Sequence, residues 1–184
     1  GLSTRAVFAA ADSHVRQVLE PAEARGWSTS VFAHSWAGNG SRIALAVDSA
    51  YGSRFAGSRH DRFGLYTMER VTSMLLSITT SLRLARSHAS RLLHAPFHLV
   101  LLARHDVYFF QPLDLEAVDP AVFTTPAWCA WVKEEGKTDC GKLTADSEEG
   151  VLDLFFMGGQ VLLETTFGSM QLSRMLKFQR TYSS

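Results

Sequence analysis

Apolar residues recur along this chain at two spacings, and the spacing changes several times. From residue 4 to residue 25, Val7, Phe8, Ala11, Val15, Val18 and Leu19 keep the three-and-four rhythm of one helical face. Ser3 or Thr4 can cap that helix, Pro21 can start a further turn, and Gly26 ends it. Trp27 to Trp36 predicts a short strand, with Val31, Phe32 and Ala33 as its buried part and His34-Ser35-Trp36 as its end. Gly38-Asn39-Gly40-Ser41 predicts a loop, and Ile43 to Val47 a second short strand. A glycine- and arginine-rich loop is expected from there to Gly64.

Leu65 to His94 carries the longest helical pattern. Met68, Val71, Met74, Leu75, Ile78, Leu82, Ala85, Ala89, Leu92 and Leu93 step along one side, and Pro96 marks the boundary. Leu99 to Leu113 follows as the central strand, an apolar run interrupted by Arg104-His105-Asp106. Continuous apolar runs mark strands buried on both faces. Asp114 to Asp119 predicts a turn or short helix, and Val122 to Val132 at least one more strand. Lys133 to Gly150 reads as a polar loop on the cleft side, Leu152 to Met157 as an apolar strand, and Gln160 to Phe178 as a final amphipathic helix. Helices alternating with short buried strands predict one α/β domain, with a mixed, mostly parallel sheet flanked by helices. The two long helical patterns exclude an all-β fold, and the strong strands exclude an all-α one.

The 184 residues are enough for one domain with a sizeable core. Eighteen basic residues balance eighteen acidic ones, so the charge gives no case for a nucleic-acid partner. The densest basic group, Arg54, Arg59, His60 and Arg62, is either a solvated loop or an anion-binding loop closing over a phosphorylated ligand. No apolar run approaches the roughly 20 residues of a membrane span. No leader peptide is visible, and the abrupt start and end suit an excised piece of something longer, whose other parts could carry targeting segments. Cys129 and Cys140 flank a turn at Glu134-Glu135-Gly136-Lys137, so a hairpin could join them as a disulfide. That bond would place the chain in an oxidising compartment such as the secretory pathway or Golgi lumen. Their spacing is not that of a zinc motif.

The candidate chemistry lies at strand ends. Asp106 could bind a divalent cation and so the oxygens of a diphosphate, or pair with Arg104 two residues away. Arg104 could grip a phosphate directly. His34 could touch a base or ribose, or act as a structural hydrogen-bonder. Ser73 and Ser77, one turn apart, could dock nucleotide groups near a helix start. Asp153, leading Asp-Leu-Phe-Phe-Met-Gly-Gly, could serve as a base or an acceptor-sugar ligand, or simply open a strand towards solvent. Dinucleotide, P-loop and nucleophile-elbow fingerprints are missing from the sequence.

Three of these segments, in this order, resemble nucleotide-sugar glycosyltransferases of the GT-A fold whose central motif is R-x-D. They are Val31-Phe32-Ala33-His34-Ser35-Trp36, then Ser73 to Ile78 with Leu99 to Asp106 and Pro112-Leu113, then Asp153-Leu154-Phe155-Phe156. The resemblance spans about residues 1 to 178 and implies a Rossmann-like GT-A domain whose first strand precedes residue 1. It implies transfer of a sugar from a nucleotide-diphosphate donor to a glycan or other hydroxyl acceptor. Asp106 would match the last aspartate of the D-x-D motif that holds Mn2+ or Mg2+, with Arg104 replacing the first. His34, Ser73, Ser77 and Arg104 would bind the donor, and Asp153 would face the acceptor. The alternative is a non-catalytic nucleotide-sugar or carbohydrate-binding domain of a larger protein.

Overall fold

A computed structural model describes residues 3–62, 70–125, 130–132, 137–139 and 155–169. Cys129, Cys140 and Asp153 lie outside the described residues, so the disulfide and the acceptor-side aspartate are not placed.

The N-terminal helical pattern forms α1 (Thr4–His14), a π-helical turn (Val15–Leu19) and α2 (Glu20–Ala24). The Ser3 hydroxyl caps α1 by accepting from the Ala6 N–H at 3.1 Å. β1 (Val31–Ser35) is the predicted strand, shortened to its apolar part and polar end.

Two expectations between residues 41 and 64 are corrected. Ile43 to Val47 is not a strand but the heart of α3 (Arg42–Ser49). The Ser41 hydroxyl accepts from the Ala44 N–H at 3.1 Å, and this cap starts a helix whose apolar run carries no period of its own. The glycine- and arginine-rich stretch is not a loop throughout: β2 (Phe55–His60) pairs parallel with β1, in the register His34↔Arg59 and Ser35↔His60. Tertiary pairing with a strong neighbour overrides its weak local pattern. Together β1, α3 and β2 form a βαβ unit. Val7, Ala33, Ala46 and Val47 fill the core between α1, β1 and α3.

α4 (Arg70–His88) packs across β1 and β2. It ends in a π-helical turn (Ala89–Leu93), closed by His94 in the left-handed region at φ 56°. Leu75, Leu82, Ala85 and Ala89 are buried as the stripe predicts. Leu92 and Leu93 are not, because the wider π turn rotates them off it; they are 66% and 49% exposed.

β3 (Val100–Ala103) covers only the first half of the expected central strand. It pairs antiparallel with β6 (Phe155–Gly158), Ala103 opposite Phe155. A single 3-10 turn (Leu115–Ala117) stands where the short turn or helix is predicted. β4 (Ala130–Val132) and β5 (Lys137–Asp139) form an antiparallel pair, so part of the predicted polar loop is a strand. α5 covers residues 160–169. Among the described strands only β1 with β2 is parallel, so the mixed α/β class holds while the expectation of a mostly parallel sheet does not. The rest of the core lies on either side of the β3–β6 ladder. Leu75, Leu82, Phe156, Leu163 and Phe167 form one cluster, and Val18, Ala22, Phe109, Leu115 and Met157 the other. The Leu113 N–H crosses to α1's continuation and donates to the Gln17 carbonyl, inside the first π turn, at 2.9 Å. Among the described residues no helix is long and apolar enough to cross a membrane.

Candidate functional site

Successive side chains of a strand point to opposite faces. The end of β1 therefore sends His34 towards α4 and Ser35 towards α3. His34 is held at both ring nitrogens: Nδ1 lies 3.0 Å from the Ser77 hydroxyl of α4, and Nε2 lies 3.2 Å from Asp61. Its side chain is only 1% exposed, and the Trp36 ring meets it edge-on at 4.9 Å. Burial lowers the His34 pKa, against the opposing pull of Asp61. In the neutral ring Nε2–H donates to Asp61, and Nδ1 accepts from the Ser77 hydroxyl. On protonation that hydroxyl has another acceptor, the Ser73 carbonyl at 3.0 Å. Asp61 also accepts from Arg59 at 3.1 Å. Burial raises its pKa, but the bonds from His34 and Arg59 outweigh that and hold the carboxyl below its usual range.

On the other face the Ser35 hydroxyl lies 2.7 Å from His60 Nδ1, and His60 Nε2 lies 2.8 Å from Asp48 on α3. Two Ser–His–Asp chains thus flank the end of one parallel strand pair. In both, the imidazole is enclosed; the His60 side chain is 4% exposed. Every polar atom there has a partner, which is what burial demands. These chains brace the strand ends and do not present a nucleophile to solvent.

The segment after β3 joins this assembly through His105, whose Nε2–H donates to the His34 carbonyl at 2.9 Å. On either side of His105, Arg104 and Asp106 close on each other. Nε donates to Oδ1 and Nη2 to Oδ2, both at 2.9 Å, with each side chain 49% exposed. The Arg104 guanidinium holds the Asp106 carboxyl below its usual range. This is the local pair that the two-residue spacing allows. Next, Val107 to Phe110 is not a second half of the strand but an anchored loop. His14 Nε2–H donates to the Val107 carbonyl at 2.7 Å, while His14 Nδ1 accepts from the Tyr51 hydroxyl at 2.8 Å. Burial lowers the His14 pKa and raises that of Tyr51 to about 12. Phe109 turns inward, its N–H donating to the Ser13 hydroxyl at 3.2 Å.

The sequence-predicted site residues therefore fall into two linked groups. His34, Ser73 and Ser77 sit where β1 meets α4. Arg104 and Asp106 line a separate cavity of about 300 Å³ with Val107, Tyr108 and Phe110. His105 is the bridge between the groups. Among the described residues, no cluster of three or more histidine, cysteine or acidic side chains is placed to hold a metal ion. Asp106, a single carboxylate paired with Arg104, does not by itself make a divalent-cation site. Sequence reasoning missed Asp48, Asp61, His60 as a brace, and His105. A signal was present: Arg-His-Asp occurs twice, at 59–61 and at 104–106, each time at the carboxyl end of a strand. Comparison with protein-family models, curated proteins and solved structures finds no match.

Proposed function

We propose that this domain is a nucleotide-sugar-dependent glycosyltransferase with a GT-A-like fold, acting on a glycan or other hydroxyl acceptor. One observation carries the reading. The segments that resemble that family are joined by hydrogen bonds: His34 of the first to Ser77 of the second, and His105 of the central Arg104-His105-Asp106 to the His34 carbonyl. β6, which begins two residues after Asp153 in the sequence, pairs its first residue with Ala103, the residue before Arg104.

In this reading the buried His34–Ser77 bond fixes the rim of β1 on which the nucleotide lies. Arg104 meets the donor's phosphates or ribose. Asp106 accepts from hydroxyls of the donor sugar. As the sugar's anomeric carbon leaves the phosphate, positive charge at Arg104 offsets the charge building on the leaving group. Asp153 is the candidate base for the acceptor hydroxyl. The described residues do not fit the Mn2+ or Mg2+ that the resemblance implies, so no step is routed through a metal.

The test is calorimetric binding of UDP, GDP and UDP-glucose, with and without manganese, together with release of nucleotide from the donors. Binding by the intact chain, about tenfold weaker in Arg104→Ala, and nucleotide release are expected. Failure of every nucleotide to bind overturns the reading. Binding without release from any donor leaves the non-catalytic binding domain in its place.

A further inference from the structure

His105 and Leu113 fasten the two ends of a strap, to the His34 and Gln17 carbonyls respectively, both at 2.9 Å. Between them the chain is neither helix nor strand, and it is tied down to α1. The Tyr108 hydroxyl donates to the Ala6 carbonyl at 3.2 Å, the Phe109 N–H to the Ser13 hydroxyl at 3.2 Å, and His14 Nε2–H to the Val107 carbonyl at 2.7 Å. Of the three ties, the one from His14 is made by a ring of the type that titrates near neutral pH. Its bonding suits one charge state. A carbonyl only accepts, so Nε2 carries a hydrogen; in the neutral ring Nδ1 is then an acceptor, filled by the Tyr51 hydroxyl at 2.8 Å. A protonated ring carries hydrogen on both nitrogens, and the Tyr51 hydroxyl must turn its own hydrogen away. His14 is the one hydrogen-bond partner of that hydroxyl among the described residues. His34 and His60 differ, because each has a carboxylate at Nε2, from Asp61 and Asp48, to offset a positive ring. The groups facing His14 offer no such offset. Tyr51, just past α3, is kept neutral by burial, which raises its pKa to about 12. From the strap, His105 adds repulsion when charged, Val107 supplies a carbonyl and Phe109 an apolar ring. Arg104 and Asp106 pair with each other at 2.9 Å, and so do Asp12 and Arg16, out in solvent, at 3.0 Å.

We infer that the strap is a pH-sensitive latch: charging His14 frees Val107 to Phe110 from α1 while the rest of the fold stays closed. The enclosed ring has three walls. Two of them, α1 and the end of α3, share the core that Val7, Ala33, Ala46 and Val47 fill. The strap is the third, and it is the wall that yields, because it has no helix or ladder of its own. Burial of Phe109 against Val18, Leu115 and Met157 keeps it shut while the ring is neutral. A solvated imidazole takes up a proton near the ordinary 6.5, and the enclosed one only at lower pH, because burial opposes its charge. Proton uptake therefore favours the open strap, by up to about tenfold for each pH unit below that value. Val107, Tyr108 and Phe110 line the cavity of about 300 Å³ beside Arg104 and Asp106, so opening dismantles one wall of it. The latch rests on hydrogen bonding and burial and does not require the transferase reading.

The experiment is amide hydrogen exchange of the intact chain, followed by NMR and expressed as protection factors, which remove the intrinsic pH dependence of exchange. Protection of the Phe109 amide is expected to fall about tenfold between about pH 7.5 and about pH 5.5. It is also expected to be indifferent to dilute urea, because a local opening exposes little surface. The Leu82 amide, inside α4, is the reference for global unfolding, and its protection should fall steeply with urea. His14→Gln keeps an N–H for the Val107 carbonyl but cannot charge, and His14→Leu suits the enclosed site without titrating. In whichever of these circular dichroism shows folded, the pH dependence at Phe109 is expected to vanish. Phe109 protection that is level with pH in the native chain overturns the latch. So does Phe109 protection that follows urea as steeply as Leu82, since the strap then opens only with the whole fold. A tenfold fall that survives in a folded His14 variant overturns it too. The native chain's pH and urea dependence decides the matter even where neither variant folds.

Discussion

The tripeptide Arg-His-Asp at residues 59–61 and its repeat at 104–106 have the same chemistry and opposite circumstances. In both, arginine and aspartate pair across the histidine, at 3.1 Å in the first and 2.9 Å in the second. In the first, the aspartate also accepts from the buried His34, and the middle histidine is sealed between Ser35 and Asp48. In the second, the middle histidine reaches a backbone carbonyl among the described residues, and the ion pair faces a cavity lined also by Tyr108 and Phe110. The difference comes from what lies alongside. β2 has a parallel neighbour and a helix on each face, so its polar end is enclosed and must be fully partnered. The chain beyond Ala103 leaves its ladder, so its polar end keeps contact with solvent. The first triplet is a brace and the second is a surface on which a ligand can act.

The largest contrast is expected from truncating the middle histidines. His60→Ala removes an enclosed ring and strands Ser35 and Asp48, at a cost of about 3 kcal/mol. His105→Ala removes one part-exposed bond, at about 1 kcal/mol. Urea unfolding of both variants checks this, and equal losses would erase the distinction between brace and surface. Next in size is the effect of acid. His14 and His34 have folded pKa values below the ordinary 6.5, so the unfolded chain binds more protons as the pH falls. Their contribution to stability is full above about pH 6.5 and declines below it. A urea midpoint that stays level from about pH 7.5 to about pH 5.5 would refute this. Asp61 and Asp106, both held below the ordinary 3.8, keep their contributions until more acidic conditions.

A smaller effect is expected at Glu23, which accepts a two-pronged bond from Arg54 at 2.7 and 2.8 Å and a further bond from Thr29. The Arg54 bonds pull its pKa from 4.5 down to about 2. Glu23→Gln should cost about 1 kcal/mol near neutrality and nothing once the pH falls through about 2, because the native carboxylate is then protonated as well. A cost that persists unchanged in acid would point to packing instead of charge. The least effect on stability belongs to the second triplet's own pair. Asp106→Asn is expected to change unfolding free energy by less than about 1 kcal/mol, since the pair is half exposed. The same variant should weaken binding of UDP-glucose more than that of UDP. A large stability loss there would make Arg104–Asp106 a second brace.

Much of the fold was legible in residue spacing. The first helix, β1 and the body of α4 follow their apolar rhythms, because each buries one face against a neighbour. α3 was misread because Ile-Ala-Leu-Ala-Val suits a strand or a helix equally, and the deciding signal was the Ser41 cap. β2 was misread because a strand whose partner supplies the order needs little hydrophobic pattern of its own. At the site, Arg104, Asp106 and His34 stand out at strand ends and Ser77 near a helix start, while the bond between His34 and Ser77 is not legible in the sequence. Their partition into an enclosed brace and an open cavity was not legible, since it depends on Asp61 and His105 arriving from distant parts of the chain.

The π turn at Val15–Leu19 has a consequence for hydrogen exchange. A regular α-helix consumes its interior carbonyls in its own ladder, whereas this turn lends the Gln17 carbonyl to the Leu113 amide. The Leu113 amide proton should therefore exchange slowly despite sitting outside any strand or helix, in step with the amides of α1. Deleting one residue from the turn would return the carbonyl to the ladder and release that proton to solvent at the rate of an open loop. A single backbone amide thus reports whether the first helix still holds the far end of the segment that carries Tyr108 and Phe110.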